Sequence, residues 1–141
     1  MFLNGVIFED AGCWLADVPG LDFMVQGDSK ADAYDELSHV FKEEFPEVEA
    51  SFTWLHQEQG VFGIQFKKPG QVFHHMIKRH RETVEEPLPK VVKRTKGVPD
   101  VDAWKNIESG SQQATAAQFF TMLDSLGLDV IVSVKKRVEL D

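Results

Sequence analysis

The sequence predicts an α+β protein in which an N-terminal βββαβ sandwich is followed by a bundle of helices that ends in a short strand. Three observations support this fold class. Short β-rich stretches separated by turn residues dominate residues 1–68. After the sequence KKPG at 67–70, apolar residues recur at the spacing of amphipathic helices. Residues 128–134 then alternate apolar with polar or smaller residues, as strands do. We therefore expect two domains, 1–68 and 69–141.

Three strands are expected to open the chain. Residues 2–8 are β-rich and are followed by the turn-forming sequence EDAG at 9–12. A second strand is predicted at 13–18 and a third at 23–26, with the turn-forming sequence PGLD at 19–22 between them. This spacing predicts a three-stranded meander.

A helix is predicted to follow the meander and to lie across it. Ser29 is a favourable N-cap, and Asp32 supplies the acid of a capping box, whereas Pro46 ends the helical pattern. Alternating apolar residues at 51–54 and 62–66 then predict one or two further strands with one buried face. The apolar residues of the helix share one face: Ala33, Leu37, Val40, Phe41 and Phe45.

The last helix of the second half has clear boundary signals. Thr115 and Gln118 are spaced as a capping box, and Gly127 stands where a left-handed C-terminal cap is common. Gly110 is placed in the same way after the preceding helix. Apolar residues with helical spacing occur in four groups, within 72–77, 88–92, 101–107 and 116–126.

Charge is distributed unevenly along the chain. Residues 1–67 contain 3 Lys/Arg and 13 Asp/Glu, a balance of −10, whereas residues 68–141 contain 12 and 10, a balance of +2. An acidic surface favours a basic partner and repels phosphate, whereas the segment KVVKRTK at 90–96 attracts phosphate. The two halves are therefore expected to have different partners.

Composition also indicates the cellular location. The single cysteine, Cys13, cannot form an intrachain disulfide, which fits a reducing compartment. No apolar run approaches the roughly 20 residues that span a membrane, and the N-terminus lacks the pattern of a signal peptide. We expect a cytoplasmic protein that does not associate with membranes.

One stretch resembles a known family. The sequence GCWLADVPGLDFMVQGDSKADAYDEL at 12–37 is similar to the N-terminal domain of HicB-type antitoxins, which have an aromatic strand, a Val-Pro loop with Gly, and a Gln-Gly-Asp-Ser/Thr turn before a helix. The corresponding residues here are Trp14, 18–20 and 26–29. The resemblance implies a partial RNase H-like sheet without a nuclease site, which sequesters a small basic mRNA-cleaving toxin of the HicA type.

A second, separate resemblance covers the C-terminal half. The sequence GVPDVDAWKNIESGSQQATAAQFFTMLDSLGLDVIV at 97–132 resembles part of an Xre/Cro-like helix-turn-helix domain, including the end of its recognition helix. This resemblance implies that 71–82, 83–96 and 99–108 are the first three helices. HicB-type antitoxins often carry such a DNA-binding domain after the toxin-binding domain, so the two resemblances support each other.

Two pairs of residues depart from the helix-turn-helix pattern. Pro87 and Pro89 fall within the second helix, so that helix either begins near Leu88 or is distorted. Asp100 and Asp102 occupy the start of the recognition helix, the end that normally faces base edges. Carboxylates are repelled by phosphates, although they accept hydrogen bonds from cytosine amino groups.

Together these observations predict an antitoxin and autorepressor, with a HicA-like ribonuclease toxin and operator DNA as partners. The protein is expected to act as a homodimer or higher homo-oligomer, with the strand at 128–134 as a candidate for pairing between copies. The expected toxin-binding residues are Trp14, Asp17, Asp22, Phe23 and Asp28, and the expected DNA-binding residues are Lys93, Arg94, Lys96, Lys105 and Asn106.

Other functions remain open at this stage. The C-terminal helices could serve interaction or oligomerisation alone, without DNA binding. A less favoured alternative is a small metal-dependent nuclease that uses clustered carboxylates. We expect no catalysis, no cofactor and no metal, because no spacing forces the acids together and the histidines lack the i, i+4 pattern of a zinc-binding helix. The residues relevant to these alternatives are Glu9, Asp10, Asp17 and Asp28 for the nuclease, and His74, His75 and His80 for a metal.

Overall fold

A computed structural model describes residues 2–132. Within this range the chain forms five strands and five α-helices, together with short 3₁₀ turns. The fold class α+β is confirmed. The elements are β1 Phe2–Asp10, β2 Cys13–Val18, β3 Phe23–Gly27, α1 Lys30–Glu44, β4 Ala50–His56, β5 Val61–Phe66, α2 Gly70–Thr83, α3 Leu88–Lys93, α4 Val101–Glu108 and α5 Ala116–Ser125.

The five strands form one sheet in the order β3-β2-β1-β5-β4. Every neighbouring pair is antiparallel. The meander β1-β2-β3 and the helix after it are confirmed, and the region after α1 supplies two strands, so the order of elements is βββαββ. The second of these strands, β5, lies beside β1, and β4 lies at the sheet edge.

Helix α1 covers one face of the sheet. It packs against β1, β2 and β3. Because side chains alternate along a strand, Ala16 and Val18 on β2 point toward the helix, whereas Asp17 between them points away. We call the side away from α1 the open face. The core beneath α1 includes Ile7, Phe23, Val25, Leu37 and Phe41.

The start of α1 explains the sequence Gln-Gly-Asp-Ser. Ser29 is the N-cap, and its Oγ accepts a hydrogen bond of 3.0 Å from the Asp32 N–H, as predicted. The Asp32 carboxylate accepts from the N–H of Asp28, at 2.8 Å, instead of from the N–H of Ser29 as the predicted capping box requires. Gly27 is required by close packing, since a Cβ at this position would lie 2.7 Å from the Ala33 Cα in the first turn of α1.

The helices of the second half differ in part from the expected bounds. Helix α2 extends one residue beyond the predicted 71–82 at each end. Helix α3 covers only Leu88–Lys93 instead of 83–96, because Pro87 is an extended N-cap with φ −64° and ψ 143°. Pro89 lies in its first turn, where no intrahelical donor is lost.

The last helix agrees with the sequence, whereas the terminal strand does not. The capping box of Thr115 and Gln118 is present at the start of α5. Gly110 and Gly127 adopt the predicted positive φ, at +79° and +86°. Residues 128–132 form no strand, since a strand needs a hydrogen-bonded neighbour and this segment lies in no ladder of the described chain. The rest of the predicted strand lies outside the described residues.

Helix α2 joins the sheet to the other helices. The His80 Nε2 lies 3.0 Å from the carbonyl oxygen of Gly20, in the 3₁₀ turn Pro19–Leu21 that connects β2 and β3. The Arg79 guanidinium lies 5.7 Å from the ring centre of Phe23 and 5.2 Å from that of Phe45. One hydrophobic cluster therefore extends through both predicted domains.

Candidate functional site

The open face of the sheet presents two rows of neighbouring side chains. Val6, Asp17 and Met24 are aligned across β1, β2 and β3. Phe8, Leu15 and Gln26 form the next row. Phe8 is 37% exposed and Met24 is 52% exposed, so solvent reaches apolar surface in both rows. We call these six residues the open-face patch.

Asp17 is the charged group of this patch. Partial burial raises the pKa of the Asp17 carboxyl, and the nearby Asp22 carboxylate raises it further. The ionised form is thus disfavoured by its surroundings in the isolated chain. A cation placed against Asp17 would offset part of this cost, so the patch combines apolar surface with a site for one positive charge.

The predicted toxin-binding residues do not form one surface. Trp14 is aligned with Gly27 and lies on the side of α1, opposite to Asp17. Phe23 is only 3% exposed and packs edge-on against Phe41 at 6.0 Å between ring centres, so it belongs to the core rather than to a surface. Asp22 and Asp28 are exposed near opposite ends of β3. Of the five residues, Asp17 alone belongs to the open-face patch.

Sequence reasoning missed the apolar members of the patch. Val6, Phe8, Leu15 and Met24 alternate with buried residues on their strands. The alternation in β3, where Phe23 and Val25 are buried, could have placed Met24 on the opposite face. Nothing local in the sequence shows which face the helix covers.

The predicted DNA-binding residues fall into two groups. Lys93, Lys96 and Lys105 are exposed, and none of them forms a salt bridge with another residue of the described range. The side chain of Asn106, on α4, is also exposed. These four side chains are accessible to a polyanion.

Arg94 has a structural role instead. Its guanidinium donates to both carboxylate oxygens of Glu86, at 2.7 and 2.8 Å. It also donates to the carbonyl oxygen of Ser125 at the end of α5, at 2.7 Å. The hydrogen bond with Glu86 raises the pKa of Arg94, and the bond to Ser125 ties the end of α3 to α5. A phosphate would have to compete with these partners for Arg94.

The two acids at the start of α4 serve the helix. The Asp100 Oδ1 accepts a hydrogen bond of 2.8 Å from the Ala103 N–H, which makes Asp100 the N-cap. Asp102 is exposed in the first turn, where a negative charge interacts favourably with the helix dipole. Both acids therefore have a local structural explanation, and they leave the start of α4 negatively charged.

A partly buried ion pair holds α4 against α2. The Glu108 carboxylate accepts from the Arg81 guanidinium at 2.7 and 2.5 Å and from the Trp104 Nε1 at 2.9 Å. Although burial alone would raise it, these hydrogen bonds keep the pKa of Glu108 below its ordinary value. Helix α4 is thus fixed to α2 by a network that the sequence pattern did not show.

The carboxylates relevant to a nuclease do not converge. No three of Glu9, Asp10, Asp17 and Asp28 come together as a metal-binding group among the described residues. Histidines do converge with an acid elsewhere, since His74 and His75 lie beside Glu47. His80 is not part of that group, because it faces the carbonyl of Gly20.

Comparisons with protein families, with curated proteins and with solved structures find no match for this chain. Among the described residues, no helix has the length and apolar character needed to cross a membrane.

Proposed function

We propose that this chain is an antitoxin of the HicB type. Its sheet binds and inhibits a small basic HicA-like mRNA-cleaving toxin, and its C-terminal helices, of the Xre/Cro-like helix-turn-helix class, bind the operator DNA of the same operon. The observation that carries the proposal is the open-face patch, in which the half-buried Asp17 is aligned with the apolar residues Val6 and Met24.

The patch fits a cationic protein better than a small molecule or a nucleic acid. It is part of the sheet surface away from α1, with Phe8 and Met24 as exposed apolar contacts. Residues 1–67 carry a charge balance of −10, from 3 Lys/Arg and 13 Asp/Glu, which repels phosphate and attracts a basic partner. Charge speeds the encounter, and burial of the apolar centre supplies the affinity.

The sequence resemblance adds the class of partner. The Val-Pro-Gly loop becomes the 3₁₀ turn whose Gly20 carbonyl faces His80, and the Gln-Gly-Asp-Ser turn starts α1. Both motifs thus shape the scaffold that holds the open face, and Gln26 of the second motif is also a member of the open-face patch. We infer that the toxin binds the face that this scaffold leaves open.

The test of inhibition uses the full chain and any small basic protein that is encoded beside it. RNA cleavage by that protein is measured with increasing amounts of the chain, and binding is measured by calorimetry. Met24→Lys is expected to lower the affinity by about tenfold or more, because hot-spot residues contribute over about 1 kcal/mol. Phe120→Lys is the matched control, since Phe120 is similarly exposed on α5.

Failure of the wild-type chain to inhibit any co-encoded ribonuclease overturns the proposal. So does an equal effect of the two lysine variants, because the open face would then contribute nothing specific. Cleavage of nucleic acid by the isolated chain, lost in Asp17→Asn, would favour the nuclease alternative.

DNA binding is tested separately. Gel-shift assays with the upstream intergenic DNA should show an affinity that falls steeply with salt. Replacing Lys93, Lys96 and Lys105 by alanine should weaken binding and reduce the salt slope by about 0.9 for each phosphate that a lysine no longer neutralises. No binding at low salt would favour the alternative in which the helices serve interaction or oligomerisation alone, an alternative supported by the acids at the start of α4.

A further inference from the structure

Three potential metal ligands meet where the sheet and the helices are joined. Glu47 lies in the connection between α1 and β4, and His74 and His75 lie on α2. One donor atom from each residue can be chosen so that all lie within 4.8 Å of one another. Glu47 already forms a hydrogen bond with the His75 Nε2. The group joins the α1–β4 connection to α2, two segments that are separated along the chain by the hairpin of β4 and β5.

The neighbouring residues hold both imidazole rings in place. Consecutive helical residues diverge by about 100° around the axis, yet the rings of His74 and His75 lie 4.0 Å apart at an angle of 36°. Phe45 packs edge-on against His75, with ring centres 4.9 Å apart. A Cβ at Gly110 would lie 3.3 Å from the His74 Nε2, so the absence of a side chain there makes room for that ring.

We propose that Glu47, His74 and His75 bind a divalent transition-metal ion, with Zn²⁺ as the best fit. Two imidazoles and one carboxylate form a ligand set that zinc accepts, and three protein ligands leave a fourth position for water. Zinc bonds of 2.0–2.2 Å place tetrahedral ligands about 3.3 Å apart, so donors at the 4.8 Å limit must approach by about 1.5 Å, whereas the hydrogen-bonded Glu47 and His75 must separate. Rotation of the solvent-exposed Glu47 side chain adjusts its distances to both histidines.

The electrostatic surroundings favour the metal-binding forms of these groups. Burial lowers the pKa of His74, and the neighbouring His75 lowers it further, which favours the neutral imidazole that a metal requires. Although partial burial acts in the other direction, the hydrogen bond with His75 keeps the pKa of Glu47 low. A carboxylate also offsets part of the charge of the ion.

An ion at this site would link the sheet to α2. Glu47 belongs to the sheet unit, because the nearby Phe45 packs against Phe23 on β3 and Phe41 on α1. The ion would therefore act as a cross-link between the sheet and the helical half. This inference stands on the cluster itself and does not require the antitoxin function.

Calorimetry with zinc chloride and the metal-free full chain tests the site. We expect one Zn²⁺ per chain, with the affinity reduced about tenfold or more in Glu47→Gln and in His75→Ala. His39→Ala is the control, because His39 is an exposed histidine with a glutamate partner, Glu43, at 3.4 Å. That variant should bind zinc as the wild type does.

Cobalt provides a second readout. Co²⁺ bound by the three residues should give visible absorption of low-symmetry coordination that is displaced by Zn²⁺ and absent in Glu47→Gln. Glu47 is exposed, so this variant tests the site even where His75→Ala fails to fold. Sub-stoichiometric binding by the wild type, or wild-type affinity in Glu47→Gln, overturns the proposal.

Discussion

Glu108 binds two groups of the helical half, the Arg81 guanidinium and the Trp104 indole, and its replacement by alanine is expected to lower the free energy of unfolding by about 2–3 kcal/mol. Removing one partner of a buried ion pair costs about 3–5 kcal/mol, because the remaining charge stays buried without compensation. The lower value applies here, since the Arg81 side chain is 31% exposed while that of Glu108 is 12% exposed, and water recovers part of the loss. The unpaired Trp104 N–H contributes to the remaining cost.

Urea denaturation followed by circular dichroism measures this effect. Glu108→Gln retains an acceptor for Trp104 but loses the charge, so its cost should be smaller, about 1–2 kcal/mol. Glu85→Ala is the control, because Glu85 is exposed and should change stability by less than about 0.5 kcal/mol. A loss below about 0.5 kcal/mol in Glu108→Ala would refute the role of the ion pair.

The stabilisation by Glu108 depends on pH in a defined direction. The folded-state pKa of Glu108 lies below its ordinary value of 4.5, so ionised Glu108 stabilises the fold above that pH. The contribution is lost as the pH falls through the lowered pKa. The stability difference between wild type and Glu108→Gln should therefore be complete at neutral pH and shrink in more acidic solution. A difference that grows on acidification would contradict the hydrogen-bonding scheme.

Three further predictions concern single residues. Gly27→Ala should destabilise the chain, because the Cβ meets the backbone of Ala33; chemical denaturation checks this, and unchanged stability would mean that α1 packs differently. Arg94→Ala should lower the melting temperature at low salt, whereas Lys93→Ala should not, because Arg94 bonds both Glu86 and the end of α5. Asp17→Asn should raise the stability at neutral pH and weaken toxin binding. The pKa of Asp17 is raised in the folded chain, so the ionised carboxylate destabilises the isolated fold at pH values above 3.8, its ordinary pKa. Loss of stability in this variant, measured by chemical denaturation, would contradict the raised pKa.

Local signals explain why some elements are predictable. Ser29 and Thr115 mark helix starts because a side-chain oxygen needs only the N–H three residues ahead. Pro87 limits α3 through its own fixed φ. Such features depend on a few neighbouring residues, so the sequence alone shows them.

The pairing of strands and the surfaces could not be predicted in the same way. The position of β5 beside β1 depends on contacts between distant segments, and the alternation in β4 and β5 fits either neighbour. For the open-face patch, alternation separates Met24 from Phe23 without showing which side a helix covers. The sequence shows three histidines on one helix, whereas the fold brings Glu47 to two of them and directs His80 elsewhere.

Helix α2 contacts both the sheet unit and the other helices. These contacts predict a single cooperative unfolding transition. Arg79 and His80 contact the 3₁₀ turn and the residues around it, and Arg81 pairs with Glu108 on α4. Because these three residues are consecutive, neither half can unfold without exposing part of α2. Two independently stable domains would have few contacts across their boundary.

Fluorescence separates the two halves in this test. Trp104 lies in the helical half, so Trp104→Phe leaves a signal from Trp14 and Trp54 in the sheet alone. Urea transitions of this variant by fluorescence and by far-ultraviolet circular dichroism should coincide. Adding Arg79→Ala should remove the cation's interaction with Phe23 and Phe45 and lower the common midpoint. Two separate transitions before Arg79 is changed would show that the contacts of α2 with the sheet are too weak to couple the halves.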